Sequence, residues 1–446
     1  MMPASLVVWI LSALLIVGVL TQSWWEPRLE ARGIPYRRWP WRWWLVGYPA
    51  TALRIRSTWR RLAYLNGLSV STSPDRRVIG RDLVVQGQAL RPKPPRLSWP
   101  VPTNTGLTLR VLLHPGQTPA PYFAAVRAME HAWRVHGVRV TSPRRGEVFI
   151  QVTALDPLTG EVPSARGPAH ALLSADVGRI EDGEPWLIDL RRVPHWLVTG
   201  ATQSGKSSLL AALVLALAPQ PVALVGIDCK GGMELGLFGG RLSALAIDRK
   251  EAVGLLSRVV DEIRHRMSVC RAAGQRSIWD LPEDERPVPL VVIVDELAEL
   301  YLTDGSRESK DEAEQCGTLL LRVAQLGAAL GVHLVVAGQR VGSDIGPRVT
   351  ALRAQLGGRV AHRAHDEASA EMTLGDINPD AVITAQNIAE DEQGVAVVAQ
   401  GGRWTRARSR LVTTADAAQI GRTDPPANPF LTSPDPVTFE KGGMAA

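Results

Sequence analysis

The segment GATQSGKS at 200–207 carries glycine, lysine and serine at the spacing GxxxxGK[ST], directly after the apolar run HWLVT and before SLLAALVLALA, which reads as a helix. Glycines let backbone N–H groups turn toward phosphates, and the helix start adds the positive end of its dipole. In this pattern Lys206 reaches the β- and γ-phosphates of ATP and Ser207 ligates Mg2+. Gly200, Ala201, Thr202, Gln203, Ser204, Gly205, Lys206, Ser207 and Ser208 are therefore the candidate nucleotide contacts. Farther on, LVVIVDE ends a buried strand with Asp295 and Glu296. One carboxylate at the strand tip suits the Mg2+ shell, and its neighbour suits orienting the attacking water. Adjacent acids after a strand also occur where a helix is capped and begins; the phosphate loop upstream favours the catalytic reading.

Gln339, in AGQR at 337–340, follows the next apolar strand and is placed to sense the γ-phosphate or water. Beyond it stand Arg348, Arg353, Arg359 and Arg363, one of which is expected to act in trans as an arginine finger. IDCKGGMEL at 227–235 sets Asp228 at a strand tip and Lys230 in a loop, either near nucleotide, near a neighbouring subunit or simply solvated. The nine histidines show no HExxH and no pairing with a nucleophile, so metalloprotease and hydrolase-triad chemistry are not indicated.

The elements that must position these residues are an alternation of apolar strands and helices. Strands are expected at 186–190, 195–200 and 222–228, in LVVIVDE, and at 332–338, 357–363 and 394–401, with helices near 249–272 and 309–330. Continuous apolar strands separated by helices imply an α/β fold with a parallel sheet covered on both faces. Before them, LTLRVLL, a helix-like PYFAAVRAMEHAWRVHG and EVFIQVTAL form a small α+β module.

The 446 residues suffice for two to three domains. Three cysteines without CxxC spacing argue against a disulfide framework or zinc site and for a reducing compartment. The net charge of +6 hides an asymmetry: residues 1–110 hold 16 Lys and Arg against 4 Asp and Glu, leaving 34 against 40 for the rest. A basic front beside an apolar stretch favours an anionic membrane surface, with nucleic acid second. ASLVVWILSALLIVGVL at 4–20 has no charge, which is about long enough to span a bilayer, and Arg28, Arg32, Arg37 and Arg38 then place its C-terminal side in the cytoplasm. Trp39, Trp41, Trp43 and Trp44 suit the headgroup level. The layout read from these features is a membrane anchor at 1–65 (span at 4–22, interfacial or second apolar segment at 39–55), a basic Pro-rich linker at 66–105, the α+β module at 106–175, an ATPase motor at 176–412 and a disordered tail at 413–446.

Taken together, GATQSGKSSLL, IDCKGGMEL, DEIRHRM, LVVIVDELAEL and AGQR with LRAQLGGRVAHR resemble, in order, the motifs of the FtsK/SpoIIIE family of hexameric, membrane-anchored DNA pumps. The resemblance spans about residues 178–401 and implies a RecA-like P-loop ATPase that assembles as a ring on double-stranded DNA. It also implies that Arg359 is the first choice for the trans finger. Within the family the layout is similar to actinobacterial conjugative transfer proteins, which implies a role in conjugative DNA transfer. Where chromosome-segregating members have four spans and a terminal winged-helix module, this chain shows one clear span and a short tail, so DNA loading is expected to need a separate protein. Two other functions fit the motifs: an ATPase of a protein-secretion system, and a single-stranded DNA coupling protein.

Overall fold

A computed structural model of the protein describes residues 16–18, 21, 43–70, 93–103, 105–160, 162, 171–375 and 379–427. The chain divides into two compact units, Met1–Pro157 and Leu158–Ala446. The span expected at 4–22 lies outside the described residues except at 16–18 and 21, and among the described residues no helix is long and apolar enough to cross a membrane.

In the first unit a π-turn at Trp43–Gly47 runs into helix α1 (Tyr48–Leu65), followed by β1 (Arg96–Leu97), β2 (Val101–Pro102), β3 (Gly106–Leu112), α2 (Ala120–Ala124), α3 (Val126–Trp133), β4 (Gly137–Thr141) and β5 (Glu147–Thr153). The strands pair antiparallel in the order β1-β3-β5-β4, with β2 also on β3. The alternation in EVFIQVT turns Val148, Ile150 and Val152 into a core shared with Met129 and Trp133. Part of the expected anchor joins this core. Pro49 lies in the first turn of α1, where its missing N–H is no loss, and Ile55, Trp59 and Leu62 are buried against the sheet. Trp43, expected at a headgroup layer, is buried and donates to the Thr103 carbonyl at 3.0 Å; Trp39 and Trp41 lie outside the described residues. The described end of the expected linker is likewise folded, since Lys93 pairs with Val70 and the Pro95 carbonyl accepts from Trp59.

The second unit contains β6 (Ser174–Ile180), β7 (Pro185–Asp189), β8 (His195–Thr199), α4 (Lys206–Leu217), β9 (Ala223–Ile227), β10 (Ala244–Ala246), α5 (Arg249–Ala272), β11 (Leu290–Val294), α6 (Arg307–Leu326), β12 (Val332–Gly338), α7 (Val349–Gln355), β13 (Gly358–His362), α8 (Glu367–Leu374), α9 (Pro379–Gln386), β14 (Val395–Gln400), β15 (Arg403–Ser409) and α10 (Thr414–Thr423). Its sheet runs β10-β9-β11-β12-β8-β13-β14-β15-β6-β7. The first six strands are parallel, and β8, β9, β11 and β12 are buried throughout, as continuous apolar runs require. Helices α5, α6 and α7 cover one face; α4 and α10 cover the other.

Two expectations are corrected here. The sheet is mixed rather than parallel, because β14, β15, β6 and β7 add antiparallel. Gly401 and Gly402, at φ of +57° and +74°, make the two-residue reversal that turns β14 straight back into β15. The tail at 413–446 is not wholly disordered: Thr413 and Asp416 form a reciprocal capping box, and α10 buries Ala417 and Ile420. Residues 428–446 lie outside the described set.

Candidate nucleotide site

Strand β8 lies between β12 and β13, so its C-terminal tip opens above the middle of the ten-stranded sheet. The loop that leaves it is held by backbone. Ala201 N donates to the Arg363 carbonyl at 2.9 Å, Ser204 N to Ala201 at 3.2 Å, and Gly394 N to the Ser204 carbonyl at 3.0 Å. Gln203 and Gly205 take φ of 62° and 109°. A Cβ on Gly205 would meet the Gly394 backbone at 2.4 Å, so glycine is required there. No side chain caps the first turn of α4, which leaves its N–H groups directed at the loop. Beneath the loop, buried His362 contacts the Val395 carbonyl through Nδ1 at 3.1 Å, and burial holds its pKa down to about 4. His362 and Gly394 support the loop without belonging to the motif, and their role comes from register across β13 and β14.

Charge converges on Glu296, which is 6% exposed. Lys206 Nζ donates to its Oε2 at 2.9 Å, Lys230 Nζ stands 3.5 Å from the same oxygen, and Gln339 N donates to Oε1 at 3.2 Å. Lys230 reaches there because fully buried Asp228 organises its loop, accepting from the N–H groups of Lys230, Glu234 and Leu235. Lys230 is thus ion-paired within its own chain while its side chain stays 40% exposed. The Gln339 side chain is exposed and lines a cleft of about 630 Å³ together with Thr202, Lys230, Glu296 and Asp344.

Asp295 caps β11 with 2% exposure, and its Oδ1 is buried without a hydrogen bond to any described residue. Burial and the nearby Asp228 carboxylate raise its pKa to about 6, against the pull of Lys206 and Lys230. Asp295 and Ser207 border a common recess of about 180 Å³. A buried carboxylate oxygen lacking a partner, beside a hydroxyl, is a hard-oxygen donor set that fits Mg2+.

Lys206, Ser207, Asp295, Glu296 and the backbone of Gln339 are thus brought together. Arg359 is not. It sits inside β13 opposite Leu197 and donates to the Arg353 carbonyl at 2.7 Å in its own chain. Arg348 pairs with Glu314 and Arg363 with Glu390, while Arg353 donates to the Val341 carbonyl.

Two family models match the chain: the actinomycete conjugal transfer protein N-terminal domain over residues 34–154, and the FtsK/SpoIIIE family over 165–281 and 279–343. Among curated proteins, transfer protein TraSA of Streptomyces ambofaciens is 41% identical over 373 residues, covering 79% of this chain and 87% of that one. A sporulation regulatory protein of Streptomyces azureus is 45% identical, covering 56% and 80%. A DNA translocase FtsK of Sporosarcina ureae is 30% identical, covering 54% of this chain but 34% of its own length. The solved pCW3 conjugation coupling protein TcpA, in its monomer form with ATPγS, shares the fold with a TM-score of 0.54 at 19% identity, over 82% of this chain and 98% of that one.

Proposed function

From the premise that this chain belongs to the FtsK/SpoIIIE family, with the actinomycete conjugal transfer proteins, we propose that it hydrolyses ATP to move double-stranded DNA during conjugation. The observation that carries the reading is the convergence of Lys206 and Lys230 on Glu296, beside Asp295, whose Oδ1 has no hydrogen bond to a described residue, at the mouth of the phosphate loop. Backbone N–H groups of residues 201–207 and the Lys206 ammonium bind the β- and γ-phosphates. Ser207 and Asp295 would hold Mg2+, which when bound would neutralise charge on the phosphate oxygens. When phosphate draws Lys206 away from Glu296, Oε2, with Lys230 still beside it, orients the attacking water and accepts its proton. Gln339, tied to Glu296 through its own N–H, reports the γ-phosphate state to β12 and the cleft.

The working form is a ring, of six subunits by resemblance to the family, in which the site above the strand tips is completed by an arginine from the next subunit. For Arg359 to serve, its guanidinium must leave the Arg353 carbonyl. The apolar stretch at 4–20 anchors the ring with the motor in the cytoplasm, and a separate protein loads the DNA. Basic residues contact DNA phosphates without reading bases, which makes binding salt-dependent.

The test is the ATPase rate of the full chain in detergent at low salt, with no DNA, linear double-stranded DNA and single-stranded DNA, beside Glu296→Ala. Stimulation by double-stranded DNA that the variant abolishes is expected. Stronger stimulation by single strands transfers the reading to a single-stranded coupling function. Indifference to both overturns DNA as the cargo.

A further inference from the structure

The outer face of helix α1 changes character along its length. Its buried positions, among them Ile55, Trp59 and Leu62, recur every three or four residues, and the positions between them form one exposed stripe. Where the π-turn meets the helix this stripe is apolar: Trp44, Leu45 and Val46 are exposed, and Leu53 is 70% exposed. From the next turn on it is basic, with Arg56, Arg60 and Arg61 all exposed. A second segment completes the apolar end. Tyr48 donates to the Pro100 carbonyl at 2.8 Å and Trp43 to the Thr103 carbonyl, which fastens the segment around β2 beside the start of α1. That segment presents Trp99 at 67% and Val101 at 59% exposure, and the Arg56 guanidinium lies 4.7 Å from the Trp99 ring centroid. Two stretches of chain thus gather large apolar side chains at one end of the first unit, with arginines at their rim.

An exposed apolar patch with a charged rim marks a surface that something covers, and its chemistry selects the occupant. Residues 31–74 hold eight arginines and no acidic residue, so the cover is anionic. A nucleic acid supplies phosphates but nothing that buries Leu45, Val46 and Leu53. An anionic bilayer supplies both, since indoles favour its headgroup level, aliphatic side chains the acyl boundary and guanidinium groups the lipid phosphates. The dimensions agree. Leu53 and Arg60 are about 10 Å apart along the helix axis at 1.5 Å per residue, so an α1 that enters start-first sets its apolar end about 5–10 Å deep while its arginines stay among the headgroups. Between Leu20, where the apolar stretch read as the anchor ends, and Trp43 lie 22 residues. At full extension they hold the patch within about 80 Å of the bilayer.

We propose that this face of the first unit is a lipid-docking surface for an anionic bilayer, in which Trp44, Leu45, Val46 and Leu53 enter the boundary between headgroups and acyl chains and Arg56, Arg60 and Arg61 pair with lipid phosphates. The inference rests on the membrane-anchored reading above and deepens it: the folded unit makes a second contact, selective for lipid charge, outside the stretch at 4–20.

The test reconstitutes the full chain in vesicles of phosphatidylcholine alone and of phosphatidylcholine mixed with phosphatidylglycerol. Cys229 is replaced by serine, which leaves only the buried Cys270 and Cys316, and a polarity-sensitive thiol dye is attached at Leu53→Cys or, separately, at Val101→Cys. Exposed Thr118→Cys is the control, beside Gln117, whose side chain holds the Leu68 carbonyl past the far end of α1. The dyes at 53 and 101 should shift to the blue in the anionic vesicles only, and the dye at 118 in neither. Each arginine near an anionic surface is worth about fivefold, so Arg56→Gln, Arg60→Gln and Arg61→Gln together should lower the docked-to-free ratio roughly a hundredfold and abolish the shift. No shift at 53 and 101 in anionic vesicles overturns the proposal, as does an equal shift in neutral ones or a shift that the triple variant retains. A shift in lipid-free detergent on adding double-stranded DNA, or on raising the protein concentration, also overturns it and gives the face to nucleic acid or to a second copy of the chain. Flotation with neutral vesicles reports the 4–20 anchor separately: if the chain fails to float there while the dye at 53 still shifts with anionic vesicles, the anchor reading falls and the docking surface stands.

Discussion

Replacing Asp295 with asparagine removes a charge that the fold holds at a cost. The carboxylate is 2% exposed, one of its oxygens has no hydrogen bond to a described residue, and burial with Asp228 nearby raises its pKa from 3.8 to about 6. The folded value lies above the unfolded one, so folding favours the protonated acid. The penalty on the ionised form is complete above pH 6, shrinks as pH falls from 6 toward 3.8, and is absent below that. At roughly 1.4 kcal/mol per tenfold it amounts to about 2–3 kcal/mol. In nucleotide-free, magnesium-free buffer at pH 7.5, Asp295→Asn should therefore be more stable than its parent by about that amount, and near pH 4 the two should coincide. Urea unfolding followed by circular dichroism at both pH values measures it. Magnesium should then stabilise the parent and not the variant, and hydrolysis should be lost. A variant less stable than the parent at pH 7.5, or a difference that persists at pH 4, refutes the account of Asp295 as a strained cation ligand.

Gly205→Ala drives a methyl group into the Gly394 backbone at a φ of +109°; strain of roughly 1–3 kcal/mol should lower ATP affinity about tenfold or more, and an unchanged nucleotide titration would show that β14 does not brace the loop. Glu262→Ala strands Arg266, which is fully buried and paired to it at 2.8 Å. The cost should be roughly 3–5 kcal/mol in urea unfolding, and replacing both residues by methionine should recover most of it; a cost under about 1 kcal/mol would mean the Leu330 and Val288 carbonyls alone satisfy the guanidinium.

Much of the motor was legible because its signals are local. A phosphate loop needs glycines at fixed offsets between a strand and a helix, and a buried parallel strand needs an unbroken apolar run; both are written in consecutive residues, as at 195–207 and in LVVIVDE. Helix α5 matches its expected span, since its apolar positions repeat at helical spacing from the capping Asp248 onward. What was not legible depends on partners far along the chain. Trp43 reads as interfacial, but an indole suits a core as well; its acceptor at Thr103 decides it for this unit. The bond from Arg359 to the Arg353 carbonyl six residues away is likewise not visible in the spacing.

By itself the sequence determined which residues can hold phosphate, a cation and a polarised water, because those chemistries demand particular side chains at particular strand tips. Only tertiary structure decided that Lys230 joins Lys206 on Glu296, that Gly394 and His362 brace the loop, and that the tail returns as α10 to pack on the core. These are contacts between strands and helices tens to hundreds of residues apart, and they are selected by the packing of the whole sheet, which no local spacing encodes.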